Sequence, residues 1–128
     1  ERVREDLRIE ARFSRAEQRY EECRRYLTDH YLRVRRLSDA AQACGLSGVH
    51  MSRLFCRFAS ESPHAFLSRM KMNHAAELIA RGNFSVKTAA AEVGFEDPYH
   101  FSRVFKRVHG VAPSLFGTHA GRHSERAP

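Results

Sequence analysis

The stretch SVKTAAAEVGFEDPYHFSRVFKRVHG, residues 85–110, contains two short helical patterns separated by a glycine. The first pattern has the i, i+3, i+4, i+7 spacing of one apolar helix face and ends at Gly94, a residue type that favours helix termination. Asp97 and Pro98 then favour a second helix start, because Asp caps N-termini and Pro at the first position sacrifices no hydrogen bond. Two short helices joined by a glycine-containing turn predict a helix-turn-helix unit. The apolar positions are Val86, Ala89, Ala90 and Val93, then Phe101, Val104, Phe105 and Val108.

An earlier part of the chain repeats this pattern. HMSRLFCRFASESPHAF, residues 50–66, echoes HFSRVFKRVHGVAPSLF, residues 100–116. Up to Gly45, which corresponds to Gly94, the two copies are 49 residues apart. From Ser52, which corresponds to Ser102, they are 50 residues apart, so the turn of the second copy is one residue longer. The apolar positions of the first copy are Leu37, Ala40, Ala41 and Cys44, then Met51, Leu54, Phe55 and Phe58, with Ser47 as the cap between them.

Helical periodicity also marks the segments around the two copies. A seam at spacings of 3 and 4 predicts a helix that packs on its own domain, since the seam is short for a dimerising coiled coil; it consists of Phe13, Ala16, Tyr20, Cys23 and Leu27. Residues 1–15 carry charges of both signs and fit either a solvated helix or a linker. Pro63 favours the start of a long helix with a broad apolar face, made of Phe66, Leu67, Met70, Ala75, Leu78 and Ile79.

No segment combines β-branched residues with period-two alternation, so we predict an all-α protein. The expected helices cover about 16–31, 38–44, 48–58, 63–81, 86–93, 98–108 and 113–117. The predicted organisation is an N-terminal linker or helical extension (1–15), a first helix-turn-helix subdomain (16–62), a linker helix (63–82), a second subdomain (83–117) and a flexible tail (118–128). Because the sequence starts at Glu1 rather than Met, we expect a processed or longer polypeptide.

The composition favours a polyanionic partner. With 22 Lys and Arg against 15 Asp and Glu, the 128-residue chain has a formal charge of +7, which suits nucleic acid or an acidic membrane surface. No apolar run is long enough to span a membrane, and no signal peptide opens the sequence. Cys23, Cys44 and Cys56 form no C-x-x-C motif, so we expect small buried hydrophobes in a reducing cytoplasm.

The faces opposite the apolar residues carry candidate DNA contacts. Arg can bind guanine through two hydrogen bonds, Ser pairs with several base edges, and Val or an aromatic ring can contact a thymine methyl. The predicted base contacts are Val49, Ser52, Arg53, Tyr99, Ser102 and Arg103. Other polar residues are better placed to contact phosphates. They lie at the helix starts, beside the outward faces or nearer the helix C-termini, and they are Ser47, His50, Arg57, Ser85, His100, Lys106 and Arg107.

Other interpretations of these residues are weaker. His119 and His123 have a chelating i, i+4 spacing but lie in the polar tail without further ligands. A cysteine nucleophile is disfavoured because Cys44 falls on a core face and Cys56 on the candidate DNA face. The basic faces could also be merely solvated, as in a helical protein-interaction module, or belong to a nonspecific cationic nucleic-acid or membrane binder.

The chain resembles the DNA-binding domain of the AraC/XylS transcription regulators over about residues 20–117. The resemblance rests on residues 85–116, on AAQACGLSGVHMSRLFCRF (40–58) and on MNHAAELIA (72–80). It implies a bacterial, cytoplasmic and nucleoid-associated transcription regulator, with no catalytic residue, cofactor or metal. Two helix-turn-helix units held by a linker helix would read successive major grooves about 34 Å apart. The implied partners are double-stranded DNA, RNA polymerase and a preceding effector-binding or dimerisation domain.

Four positions depart from the family pattern. Arg36 stands where a capping Ser or Thr is expected, and Cys56 replaces the Lys that the second copy keeps as Lys106. Ser60 replaces the turn glycine, and Gly117 stands where Arg often closes the motif. The first copy is therefore the looser match, and its departures concern the phosphate contacts more than the fold.

Overall fold

The computed structural model describes residues 2–116, apart from the side chain of Phe13. Within that range the chain forms six helices, and a seventh helical segment occupies residues 113–116. No residue from 2 to 116 lies in a strand, so the all-α prediction is confirmed. The helices are α1 (Arg2–His30), α2 (Leu37–Ala43), α3 (Gly48–Ala59), α4 (Pro63–Ala80), α5 (Val86–Glu92) and α6 (Pro98–His109).

Helix α1 begins at Arg2, well before the expected start near residue 16. Of the two alternatives for residues 1–15, a solvated helix or a linker, residues 2–15 form the helix, although they carry no continuous apolar stripe. Arg, Glu, Leu and Ala are nevertheless strong helix formers, and no Gly or Pro interrupts the chain before Gly45. Residues 2–12 are exposed, and Ile9 is 51% exposed.

Two compact units divide the chain between Phe66 and Leu67, inside α4. In the first unit, α1 packs against α2 and α3. Phe55 is fully buried there, with its ring centroid 5.1 Å from that of Tyr20 and 5.5 Å from that of Phe66. The predicted faces of α1, α2 and α3 supply further buried residues, namely Cys23, Leu27, Ala40, Ala41, Met51 and Leu54.

The second unit has an equivalent centre. Phe105 is fully buried, with ring centroids 5.7 Å from Phe101 and 5.6 Å from Phe116. The predicted faces of α5 and α6 are confirmed, although Val86 and Val108 pack at the edge of this core. On α4 the expected phase needs one correction, because Met72 is fully buried while Met70 is only half-buried. His109 also joins this core, with its Nε2 atom 3.1 Å from the carbonyl oxygen of Met72.

The two helix-turn-helix turns share one hydrogen-bond pattern. The Gly45 N–H donates to the carbonyl oxygen of Gln42, and the Leu46 N–H donates to the carbonyl oxygen of Ala41, both at 2.9 Å. In the second copy Gly94 N–H donates to Ala91 at 3.0 Å and Phe95 N–H to Ala90 at 2.9 Å. Both glycines have positive φ, 72° and 85°, as this Schellman-type ending requires. Residues 44–47 link the first pair of helices and residues 93–97 the second, so the turn with the extra residue is confirmed.

The cysteines do not all follow the prediction of buried hydrophobes. Cys23 is buried, Cys44 is half-buried and Cys56 is exposed. Cys56 lies on the face of α3 opposite Met51, Leu54 and Phe55, so no core surface reaches it. The predicted tail 118–128 lies outside the described residues, as do Gly117, His119 and His123.

Candidate nucleic-acid interface

Local capping and core packing set the orientation of α3. The Ser47 hydroxyl accepts a hydrogen bond from the backbone N–H of His50 at 3.1 Å, which starts the helix. Three residues on the opposite side, Met51, Leu54 and Phe55, are buried. The outward face carries all the predicted contacts of this helix, and its apolar member Val49 is 63% exposed. The other exposed side chains on α3 include His50, Ser52, Arg53, Cys56 and Arg57.

Helix α6 presents the corresponding face of the second unit. An Asp97 side-chain oxygen accepts a hydrogen bond from Tyr99 N–H at 2.9 Å, and Pro98 occupies the first turn. Tyr99 is 79% exposed, at the position equivalent to Val49. His100, Arg103, Lys106 and Arg107 are exposed as well, whereas Ser102 is half-buried. The His100 ring lies beside Phe95, with centroids 5.3 Å apart.

The two serines predicted to contact phosphates both cap helices, but at different places in their units. Ser47 caps the second helix of the first pair, and Ser85 caps the first helix of the second pair. The Ser85 hydroxyl accepts from Thr88 N–H at 3.1 Å and lies 2.8 Å from the Thr88 hydroxyl. Both serine side chains remain exposed, so an oxygen of an approaching phosphate can still reach them.

Each outward face combines groups that bind phosphates with groups that can distinguish bases. Arg53 and Arg103 stand in the middle of their helices, with an exposed apolar or aromatic residue one turn earlier. Arg57 lies further along α3, with its guanidinium carbon 5.1 Å from the centroid of Phe58. Since the cores account for the buried faces, these exposed faces are available to a ligand.

Sequence reasoning left one exposed basic segment outside the candidate site. Arg33, Arg35 and Arg36 are exposed in the connection that leads into α2. The signal was available in the string RVRR immediately before a helix start, where Val34 alternates with the arginines.

Two other kinds of site receive no support. Among residues 2–116, no three His, Cys, Asp or Glu side chains are grouped to hold a metal ion. Within the same part of the chain, no helix has the length and apolar character needed to cross a bilayer.

Comparison with known proteins decides the family. A protein-family model described as a helix-turn-helix domain matches residues 40–118 of this chain. A probable AraC family transcriptional regulator of Rhodopseudomonas palustris has a similar structure, with a TM-score of 0.72 and 26% identity over 80% of this chain and 97% of that one. The chain belongs to the AraC family. This is a family of DNA-binding transcription regulators, so the prediction of a non-enzymatic protein is confirmed.

The chain is also similar in sequence to bacterial transcription regulators. The uncharacterised helix-turn-helix regulator YfiF of Bacillus subtilis is 38% identical over 95 residues, covering 74% of this chain and 30% of YfiF. The raffinose operon regulatory protein RafR of Pediococcus pentosaceus is 31% identical, covering 71% and 33%. This chain therefore spans about a third of the length of these relatives. The DNA-binding domain of AdpA, solved with a target DNA, shares the fold with a TM-score of 0.75 at 18% identity, covering 84% of this chain and 97% of that one.

Proposed function

We propose that this AraC-family chain is a sequence-specific transcription regulator that places α3 and α6 in successive major grooves of a promoter. One observation carries the proposal: two capped helices bury equivalent faces and expose equivalent ones. Val49 and Tyr99 occupy matching exposed positions, and so do Arg53 and Arg103. A repeated outward face is expected of two groove-reading helices separated by about one turn of DNA, roughly 34 Å.

Base recognition in this proposal falls to six side chains. Arg53 and Arg103 would each bind guanine O6 and N7, while Val49 and Tyr99 would contact thymine methyl groups. Ser52 and Ser102 can donate to or accept from several base edges, so they adjust specificity rather than define it. These residues belong to the first two turns of their helices, the part that enters a groove in helix-turn-helix proteins.

Phosphate contacts would fix the position of each helix on the duplex. The proposed contacts are exposed, and the cations among them lie mainly towards the C-terminal half of α3 and α6. They would supply affinity that depends on salt and not on sequence. The set comprises Ser47, His50, Arg57, Ser85, His100, Lys106 and Arg107.

The remaining parts of the proposal concern the cellular context. The subdomain bounds 16–62 and 83–117, with residues 63–82 as a linker helix, are proposed as the functional division of the chain. RNA polymerase is the proposed protein partner, and an effector-binding or dimerisation domain is the proposed neighbour of residues 1–15. Action on DNA in a bacterium would place the protein in the cytoplasm, on the nucleoid.

Selection of duplexes from a random-sequence pool tests the central claim. The chain should enrich a motif with two short conserved blocks about one helical turn apart, and the selected duplex should keep its advantage over random competitor DNA. If random competitor DNA abolishes binding to the selected duplex and to unselected duplexes equally, the chain is a nonspecific cationic binder. A chain that binds no duplex at all would instead be a protein-interaction module.

A further inference from the structure

The connection between α1 and α2 holds three arginines in a fixed backbone. The backbone N–H groups of Arg33 and Val34 donate to the carbonyl oxygen of His30 at 2.8 and 3.1 Å. Val34 is buried at 6% exposure, which anchors the segment to the first unit. Arg33, Arg35 and Arg36, the residues we name the arginine loop, remain exposed around this anchor.

The arginine loop has no carboxylate partner within the described part of the chain. One ion pair among the described residues joins Arg24 and Glu21 at 3.7 Å, on α1 and away from the arginine loop. Arg36 occupies the N-cap of α2 without a side-chain capping bond, so its guanidinium does not serve the helix end. Binding an external anion would therefore break no existing ion pair at these residues.

The second unit lacks this feature. At the offset of 49 residues, the positions of Arg33, Arg35 and Arg36 are taken by Gly82, Phe84 and Ser85, none of them charged. The recognition helices show the opposite asymmetry, because α3 has the exposed Cys56 where α6 has Lys106. The first unit thus has the uncharged Cys56 where α6 has a cation, and it has three cations at the entrance of α2.

We infer that the arginine loop binds the phosphate backbone next to the groove occupied by α3, a role that rests on the proposed function. In helix-turn-helix proteins the first helix of the pair crosses the DNA backbone, so the entrance of α2 is placed to meet phosphates. Ser85, a proposed phosphate contact, holds the position equivalent to Arg36. Guanidinium groups bind phosphate through paired hydrogen bonds and carry no base information in doing so.

The test compares salt dependence among variants of the full chain, on a duplex selected by the unaltered chain and on a scrambled duplex. Replacing the arginine loop, R33Q/R35Q/R36Q, should lower the slope of log affinity against log salt by up to about 2.7, about 0.9 for each lost contact. The loss should be equal on both duplexes. The charge-retaining variant R33K/R35K/R36K should keep most of the slope, because lysine also neutralises phosphate.

A matched control separates contact from overall charge. R4Q/R8Q/R12Q removes the same charge from exposed residues of α1 and should leave the slope within about one unit of the unaltered chain. Circular dichroism confirms that each variant is folded. Equal slopes for the two glutamine variants would overturn the inference while leaving the proposed function intact. Failure of the unaltered chain to prefer the selected duplex would overturn both.

Neutral phosphates locate the contact. A single methylphosphonate is placed at each position of the selected duplex in turn. At two or three adjacent positions it should weaken DNA binding by the unaltered chain but not by R33Q/R35Q/R36Q. If every position affects both proteins equally, the arginine loop does not touch the backbone.

Discussion

Ser60 ends α3 in the left-handed conformation, with φ of 55°, where α6 ends on Gly110 at 79°. An L-residue with a side chain is strained there by about 1–2 kcal/mol, whereas glycine is not. Part of the gain from glycine is lost to its greater freedom in the unfolded chain, about 0.5–1 kcal/mol. We therefore expect Ser60→Gly to raise the free energy of unfolding by about 0.5–1 kcal/mol in urea titrations.

The reverse change at the equivalent position is the control for this prediction. Gly110→Ser should destabilise the chain by about the same amount, since no atom lies within 4 Å of an added Cβ and only backbone strain is introduced. A less stable Ser60→Gly variant would mean that the serine side chain contributes more than the strain costs.

Cys23 makes stability depend on alkaline pH. Burial, then a hydrogen bond with Cys44, raises the pKa of the Cys23 thiol from 9.0 to about 12. The thiol of the unfolded chain ionises above pH 9 while the folded one stays neutral, so this contribution to stability is present below pH 9 and is lost as pH rises towards 12. We expect unfolding free energy to fall by up to about 1.4 kcal/mol per pH unit from this group.

Comparison with Cys23→Ala isolates that effect from other groups that titrate in alkali. The alanine variant should be less stable at pH 7 because it leaves a cavity. Between pH 9 and 10.5, however, its unfolding free energy should decline less steeply than that of the unaltered chain. Parallel declines in the two proteins would exclude Cys23 as the cause.

Among the helices, α3 and α6 each carry one aromatic side chain on which the stability of its unit depends. Phe55 and Phe105 are both fully buried and contact other aromatic rings at 5.1–5.7 Å between centroids. Phe55→Ala or Phe105→Ala should therefore each cost about 3–5 kcal/mol through lost burial and an unfilled cavity. Thermal or urea unfolding measures this loss.

Val49→Ala, at an exposed position on the same helix as Phe55, provides the comparison. It should change stability by no more than about 0.5 kcal/mol. An equal loss from Val49→Ala and Phe55→Ala would show that the two faces of α3 have been interchanged.

At the scale of the whole molecule, the two exposed faces predict a division of labour. Arg53 is exposed in the first half of α3, while Lys106 is exposed towards the end of α6. Arg53→Ala should lose about 1–3 kcal/mol of discrimination at one base position. Lys106→Ala should weaken binding to every duplex and lower the salt slope by about one unit.

Salt titrations on selected and scrambled duplexes measure both effects. Ser62 and His64, which follow Glu61, are exposed. His64→Ala serves as a surface control and should change neither the base discrimination nor the salt slope. The assignment of roles is reversed if Arg53→Ala weakens both duplexes equally and Lys106→Ala alters only specificity.

The class of fold, the apolar faces of α2, α3, α5 and α6, the caps and the candidate site could be predicted from the sequence. Periodicity of 3.6 residues, capping by Ser47, Ser85 and Asp97, and positive φ at Gly45 and Gly94 depend on neighbours within a few residues. Eleven of the thirteen predicted contact residues followed from the same periodicity, because a helix with one buried face must expose the other, and Ser47 and Ser85 followed from their capping positions. Their roles in DNA binding remain predictions that only binding experiments test.

Which apolar positions are covered depends on packing between segments that lie far apart in the sequence. Ile9 continues the spacing of the α1 seam, yet it is half exposed while Tyr20, Cys23 and Leu27 are buried. The burial of Met72 instead of Met70 was likewise not predicted, whereas the exposure of Cys56 follows from its place opposite the apolar face of α3. The physical reason is that burial requires a second surface at the right distance, which segments far apart in sequence supply. Local preference sets the face of a helix, and the packing of distant segments sets how much of that face is hidden.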